Sequence, residues 1–164
     1  MNVYKINPTQ YVLYLSSKTF TMKIAIASDH AGVDYKARLI SYLEYNGFQV
    51  TDLGPETEES VDYPDYGHKV AEAVTEKKVD FGILFCGSGN GINMSANKHQ
   101  AVRSALCWKK EIAELARLHN DANILTMPAR FISYEEAQEI TTLFLATEFE
   151  GGRHAKRVNK IACC

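Results

Sequence analysis

The chain has 164 residues and a formal net charge of -2, and 46% of its residues are hydrophobic. This length suits one domain with a sizeable core, and the charge shows no bias toward nucleic acid or anionic membranes. No apolar run approaches the ~20 residues of a membrane span, and the first residues do not resemble a signal peptide. Four cysteines without a Cys-x-x-Cys pair give no disulfide or zinc signature and favour a reducing, cytoplasmic compartment.

Apolar patterns and turn residues divide most of the chain into alternating strands and helices. In chain order, the predicted strands are Lys23–Ser28, Phe48–Leu53, Phe81–Phe85, Val102–Cys107 and Asn123–Met127. The predicted helices are Val33–Tyr45, Gly67–Lys77, a segment after Gly91, Lys109–Leu118, Tyr134–Ala146 and Arg153–Lys160. Five strands that alternate with helices predict an α/β fold with a parallel sheet covered on both faces.

The segment before the first strand is the least informative part of the sequence. Tyr11 to Leu15 has strand propensity, but no partner for it is evident. We therefore treat residues 1–21 as an N-terminal extension and residues 22–164 as the functional domain.

The third strand and the glycines after it carry the strongest chemical signal. Its apolar run lacks alternation, which predicts a strand buried on both faces, and Cys86 lies where the strand becomes a loop. Gly87, Gly89 and Gly91 would let backbone N–H groups approach an anion closely. The spacing matches neither a Walker A loop nor a dinucleotide motif, so no nucleotide is implied. The alternative is a buried structural cysteine before an ordinary turn.

Other candidates lie at the ends of elements. Asp29 and His30 follow the first strand at its carboxyl end, where Asp29 is either a helix cap or a functional carboxylate. His119 lies near a helix end and is either a surface or a functional histidine. Arg153 and Arg157 are four residues apart on a basic helix, so they could grip one phosphate or simply form a solvated terminus.

Five motifs, in this order, resemble type B ribose-5-phosphate isomerase: Ser28-Asp29-His30-Ala31-Gly32, Tyr63-Pro64-Asp65-Tyr66, Cys86-Gly87-Ser88-Gly89-Asn90-Gly91, His119-Asn120-Asp121-Ala122-Asn123 and Glu148-Phe149-Glu150-Gly151-Gly152-Arg153-His154. The resemblance spans Met22 to about Lys160, so residues 22–164 would be a sugar-phosphate isomerase domain. The family also includes galactose-6-phosphate and allose-6-phosphate isomerases. Two departures are visible: Ser88 replaces a common threonine and keeps the hydroxyl, and Pro128 replaces a common glycine near Arg130.

The resemblance implies a flavodoxin-like three-layer fold with a five-stranded parallel sheet of order 2-1-3-4-5. It also implies a homodimer with shared active sites, or a higher oligomer, and neither a metal nor an organic cofactor. The implied reaction interconverts ribose 5-phosphate and ribulose 5-phosphate through an enediolate. A six-carbon sugar phosphate is the nearest alternative substrate, and a non-catalytic sugar-phosphate-binding module is the alternative from another class.

An aldose–ketose isomerisation needs one base that reaches two carbons and donors for the oxygen charge. Cys86 is the candidate base, and we expect the following helix N-terminus to favour its thiolate. Ser88 would stabilise the enediolate, and Asp29 would move protons between the substrate oxygens. The resemblance implies that His119 helps to open the sugar ring. The expected substrate-binding residues are His30, Tyr63, Gly87, Gly89, Asn90, Gly91, Asn120, Arg130, Arg153 and Arg157.

The predicted topology separates these residues. Cys86 and Asp29 follow the carboxyl ends of strands, whereas His119 comes after a helix and before the fifth strand, at the opposite edge. Five strand residues at about 3.3 Å each put that edge roughly 16 Å away. Because the resemblance implies that Cys86 and His119 serve one site, we predict that His119 comes from the partner subunit of a dimer.

Overall fold

The computed structural model describes residues 21–162, so residues 1–20 of the predicted extension and the two terminal cysteines lie outside the described residues. Within that range the strands are β1 (Lys23–Ser28), β2 (Gln49–Asp52), β3 (Phe81–Cys86), β4 (Ser104–Leu106) and β5 (Ile124–Pro128). The helices are α1 (Val33–Tyr45), α2 (Tyr63–Thr75), α3 (Asn90–Ala96), α4 (Lys110–Asn120), α5 (Tyr134–Ala146) and α6 (Arg153–Val158), and a 3-10 turn covers His30–Gly32.

All strand pairs in the sheet are parallel, which confirms the predicted flavodoxin-like α/β class. The order is β2-β1-β3-β5-β4, so the predicted order 2-1-3-4-5 is wrong in its last two strands. Every residue of β5 is buried, whereas the three residues of β4 are only partly buried. A strand that is covered on both faces belongs inside a parallel sheet, and a short strand suits an exposed edge.

The core has two parts, one on each face of the sheet. Alternate residues of β1 point to opposite faces, because successive strand side chains alternate: Ile24 and Ile26 pack under α1, α4 and α5, whereas Ala25 and Ala27 pack under α2 and α3. Cys107 belongs to the first part, and burial raises the pKa of its thiol to about 12.

Several helix ends were predicted correctly and others were not. Ser133 caps α5 and forms a capping box with Glu136, which confirms the predicted start of that helix. Helix α2 begins at Tyr63 rather than at Gly67, because a proline is tolerated in the first turn. Helix α4 continues to Asn120, past the predicted end at Leu118, so His119 lies in its last turn. Among the described helices, none has both the length and the apolarity to span a bilayer.

The carboxyl ends of β1, β3 and β5 meet at one edge of the sheet. The Asp29 N–H donates to the Phe85 carbonyl at 3.0 Å, and the Ala129 N–H donates to the Cys86 carbonyl at 2.9 Å. The Arg130 N–H then donates to the Gly87 carbonyl at 3.2 Å. These bonds hold three loops together around the end of β3.

Candidate active site

A cleft of about 330 Å³ opens where these three loops meet. It is lined by Asp29, His30, Cys86, Gly87, Ser88, Arg130 and Phe131. The structure thus brings six predicted site residues together from three distant parts of the sequence. Phe131 was not predicted: it is 74% exposed, and only its position next to Arg130 could have indicated it.

The glycine loop after Cys86 is shaped by close contacts. Gly89 has φ of +75°, and a Cβ there would lie 2.4 Å from a Leu106 methyl carbon, so this position requires glycine. A Cβ on Gly91 would lie 2.5 Å from the Tyr63 ring, which therefore lies directly over the loop. Asn90 begins α3 between these glycines. Gly89, Asn90 and Gly91 thus belong to the loop, Tyr63 packs over it from α2, and none of the four lines the cleft.

The two carboxylate oxygens of Asp29 contact different parts of the site. One carboxylate oxygen accepts from the Ala31 N–H at 2.9 Å and caps the 3-10 turn. The other accepts from the Gly87 N–H at 3.4 Å. The residue is only 5% exposed, and its carboxylate also forms a hydrogen bond with the Cys86 thiol. A capping aspartate is therefore also the polar neighbour of the candidate base.

The pKa of the Cys86 thiol is raised above its usual value, first by burial and then by the hydrogen bond and charge of Asp29. The N–H groups of Ser88 and Gly89 act in the opposite direction but do not outweigh these effects. The helix N-terminus was expected to favour the thiolate and so to lower the pKa of Cys86. This expectation is wrong, because the net shift of the pKa is upward. A thiol with a raised pKa is mostly protonated at neutral pH, but its thiolate is a stronger base.

Replacing Asp29 with asparagine should lower the pKa of the Cys86 thiol, because the carboxylate charge that opposes the thiolate is lost. Iodoacetamide alkylation of Cys86, followed by mass spectrometry between pH 6 and pH 10, should then reach half its maximal rate at a lower pH than in wild type. Asp65→Asn is the matched control, since Asp65 is exposed on α2. An unchanged or higher midpoint in Asp29→Asn would contradict this interpretation.

Two residues of the cleft are placed to bind an anion. The Arg130 guanidinium lies over Gly87, since a Cβ there would be 3.3 Å from its Cζ and Nε. Pro128 ends β5 and pairs with Cys86, so the departure at Pro128 leaves Arg130 at the cleft. The His30 Nδ1 atom is buried and has no hydrogen-bond partner among the described residues. An incoming ligand could supply that partner.

The remaining predicted residues lie outside the cleft. His119 is in the last turn of α4, where its ring stacks on that of His154. Arg153 and Arg157 are exposed on α6, which packs against α4. Helix α4 leads into the first residue of β5, and Cys86 pairs with the last. At about 3.3 Å per residue the two ends of β5 are roughly 13 Å apart.

Asn120, the last residue of α4, lines a separate cavity of about 300 Å³ together with Arg103 and Ser104. Its backbone carbonyl accepts from Arg103 Nε at 3.1 Å. This cavity lies at β4, on the edge of the sheet, and shares no lining residue with the cleft. One copy of the chain therefore divides the predicted site residues between two places.

His119, His154 and Glu150 carry the types of atom that can bind a metal ion. Nitrogens of His119 and His154 and a Glu150 oxygen lie within 4.8 Å of one another. However, Arg153 Nε donates to the His154 Nε2 lone pair at 3.3 Å, and the two rings are 2° from parallel, so their lone pairs do not converge on one ion. Burial, followed by the charges of His119 and Arg153, lowers the pKa of His154. We keep the prediction that no metal is bound.

Residues 24–161 match the family model described as Ribose/Galactose Isomerase. The ribose-5-phosphate isomerase B of Escherichia coli K12 is 41% identical over 139 residues, which are 85% of this chain and 93% of that protein. A ribose 5-phosphate isomerase crystal structure from Thermotoga maritima has a TM-score of 0.85 and 48% identity, covering 87% of this chain and 99% of that one.

A Mycoplasma genitalium ribose-5-phosphate isomerase B structure with bound ribulose-5-phosphate has a TM-score of 0.83 and 42% identity, covering 87% of this chain and 95% of that one. A parallel α/β sheet with a thiol and a carboxylate in contact at its carboxyl edge is consistent with an enzyme of the isomerase class. The chain belongs to the Ribose/Galactose Isomerase family, and it is an isomerase, as predicted.

Proposed function

We propose that this chain interconverts ribose 5-phosphate and ribulose 5-phosphate through an enediolate, with Cys86 as the base. The observation that carries the proposal is the contact between the Cys86 thiol and the Asp29 carboxylate in the cleft. The names of the relatives support the choice of substrate: they are ribose-5-phosphate isomerases, and one structure holds ribulose-5-phosphate. The reaction needs neither a metal nor an organic cofactor.

In the proposed mechanism the Cys86 thiolate removes the proton from C2 of the open-chain aldose. The electron pair moves into the C1–C2 bond and leaves negative charge on the carbonyl oxygen at C1, which the Ser88 hydroxyl can stabilise. Asp29 moves a proton from the hydroxyl on C2 to the oxygen on C1. The Cys86 thiol then returns its proton to C1, which yields the ketose and restores the thiolate.

Before this step the furanose ring must open, and we assign that proton transfer to His119 of a partner subunit. The separation of His119 from the cleft, along the length of β5, supports a shared site. Exposed aromatic residues around the carboxyl edge also support a covering partner: Tyr63 is 41%, Trp108 48% and Phe131 74% exposed. A homodimer, alone or within a higher oligomer, would cover this edge.

The phosphate group would be bound by basic side chains. His30 and Arg130 lie in the cleft, and Arg153 and Arg157 are placed with His119, so a shared site could use all four. Arginine keeps its charge at any physiological pH and can bind two phosphate oxygens at once.

The free thiols of Cys86 and Cys107 support a cytoplasmic location for this enzyme.

Replacing Arg157 or Arg153 with alanine should raise KM for ribose 5-phosphate. Each loss of a charged hydrogen bond costs roughly 1.5 to 3 kcal/mol, which corresponds to an increase of about tenfold to a hundredfold. Lys156→Ala is the control, since Lys156 is an exposed cation on the same helix. An unchanged KM in both arginine variants, or an equal rise of KM in the lysine variant, would mean that α6 is only a solvated basic terminus.

The proposed function is tested with purified protein and ribose 5-phosphate in a coupled assay. Allose 6-phosphate and galactose 6-phosphate are measured in parallel, because the family description also names galactose. We expect the highest kcat/KM with ribose 5-phosphate. A higher value with a six-carbon phosphate would change the substrate but keep the chemistry. Binding without turnover of any of them would identify a non-catalytic sugar-phosphate-binding module.

A further inference from the structure

His119 lies on a second histidine ring. The ring centroids of His119 and His154 are 4.2 Å apart, and the planes are 2° from parallel. The His119 side chain is 36% exposed, whereas the His154 side chain is 7% exposed. An accessible ring therefore rests on a buried one.

Backbone interactions, and not only the contact between the rings, place His154 beside His119. The Glu150 N–H donates to the Leu118 carbonyl at 3.1 Å, which joins the segment before α6 to the last turn of α4. Gly151 and Gly152 have φ of +70° and +54°, in the left-handed region that favours glycine. The resulting turn brings α6 back against α4. The stack is thus built by the fold around it.

The His154 ring is also held at its edge. Arg153 Nε–H donates to His154 Nε2 at 3.3 Å, so this nitrogen accepts and the proton of the neutral ring is on Nδ1. A Glu150 carboxylate oxygen is 3.7 Å from His119 Nε2 and 3.8 Å from His154 Nε2, beyond hydrogen-bond distance. The two histidine rings are therefore joined by contact between their faces rather than through the Glu150 carboxylate.

We propose that His154 is a positioning residue whose buried ring fixes the plane of the His119 imidazole for opening the sugar ring. This inference rests on the proposed function, in which His119 transfers a proton to or from the furanose. Ring opening moves a proton from the C1 hydroxyl to the ring oxygen as the bond from C1 to that oxygen breaks. The transfer depends on the orientation of the imidazole, and a stacked aromatic neighbour restricts that orientation.

The deciding experiment compares His154→Phe with His154→Leu. Phenylalanine keeps a flat ring, whereas leucine fills much of the same volume without one. We expect kcat/KM for ribose 5-phosphate to fall about tenfold in His154→Leu and to stay within about twofold of wild type in His154→Phe. Glu150→Gln removes the charge facing both rings but keeps the stack, and it should also stay within about twofold.

A second measurement separates ring opening from the proton transfer at carbon. Ribulose 5-phosphate cannot close a furanose ring, because the hydroxyl that would close it is esterified. Deuterium from solvent can therefore enter its C1 position without any ring opening. We expect both His154 variants to exchange this hydrogen within about twofold of the wild-type rate, whereas Cys86→Ala should not exchange it.

Three results would overturn the inference: equal losses in the Phe and Leu variants, no loss in His154→Leu, or a parallel loss of deuterium exchange and isomerisation in His154→Leu. The last result would mean that His154 only maintains the structure. A wild-type protein without isomerisation and without exchange would instead overturn the proposed function, and this inference with it. Thermal unfolding of each variant shows whether the fold is intact.

Discussion

Cys86→Ala is expected to lower kcat/KM for ribose 5-phosphate by at least about a hundredfold, the usual scale for the loss of a general base. The Cys86 side chain reaches the cleft from the last residue of β3, and the proposed mechanism gives its neighbour Asp29 a separate role, proton transfer between oxygens. The Cys86 backbone stays paired with Pro128, so the variant should fold normally. The coupled assay and a thermal unfolding curve measure the two outcomes.

Cys107→Ala is the matched control for this variant. Cys107 is also a buried free thiol, but it lies in the core beneath the sheet and does not line the cleft. We expect Cys107→Ala to keep wild-type kcat/KM while it loses some stability to the cavity that forms. Near-normal turnover in a folded Cys86→Ala protein would assign the proton transfer to another group.

The sequence predicts the sheet well where the signals are local. The exact bounds of β1, α1 and α5 follow from apolar runs and capping residues near their ends. The order of the last two strands is not a local property, because it depends on which strand is buried between two others. Ser104–Leu106 is too short to fill an interior position, and the predicted strand Val102–Cys107 was twice that length. Because the predicted strand was too long, its position at the edge of the sheet was not predicted.

Six of the predicted residues line the cleft, but the sequence did not predict the electrostatic environment of Cys86. From the sequence, the helix after Gly91 predicts a lowered pKa for Cys86, because the N-terminus of that helix is close to Cys86 along the chain. Burial of the thiol and the nearby carboxylate of Asp29 depend on parts of the chain that are distant in sequence, and they reverse the direction of the pKa shift. Likewise, no periodic pattern connects His119 with His154. Their stack depends on how α6 packs on α4, so it emerges only in three dimensions.

Mixed dimers should recover activity that neither inactive parent has. If a site combines Cys86 of one subunit with His119 of the other, a mixed dimer of Cys86→Ala and His119→Ala has one doubly damaged site and one intact site. Random pairing makes half of the dimers mixed. About a quarter of wild-type activity should therefore return after the two nearly inactive proteins are unfolded and refolded together.

The matched control mixes Cys86→Ala with Asp29→Asn, two changes in the same half of the site. Both sites of that mixed dimer are damaged, so no activity should return, although subunits exchange equally well. An affinity tag on one parent measures the exchange in both mixtures. Confirmed exchange without recovery in the Cys86→Ala and His119→Ala mixture would mean that the sites are not shared. His119 would then have to reach Cys86 of its own subunit across the length of β5, or have no part in the reaction.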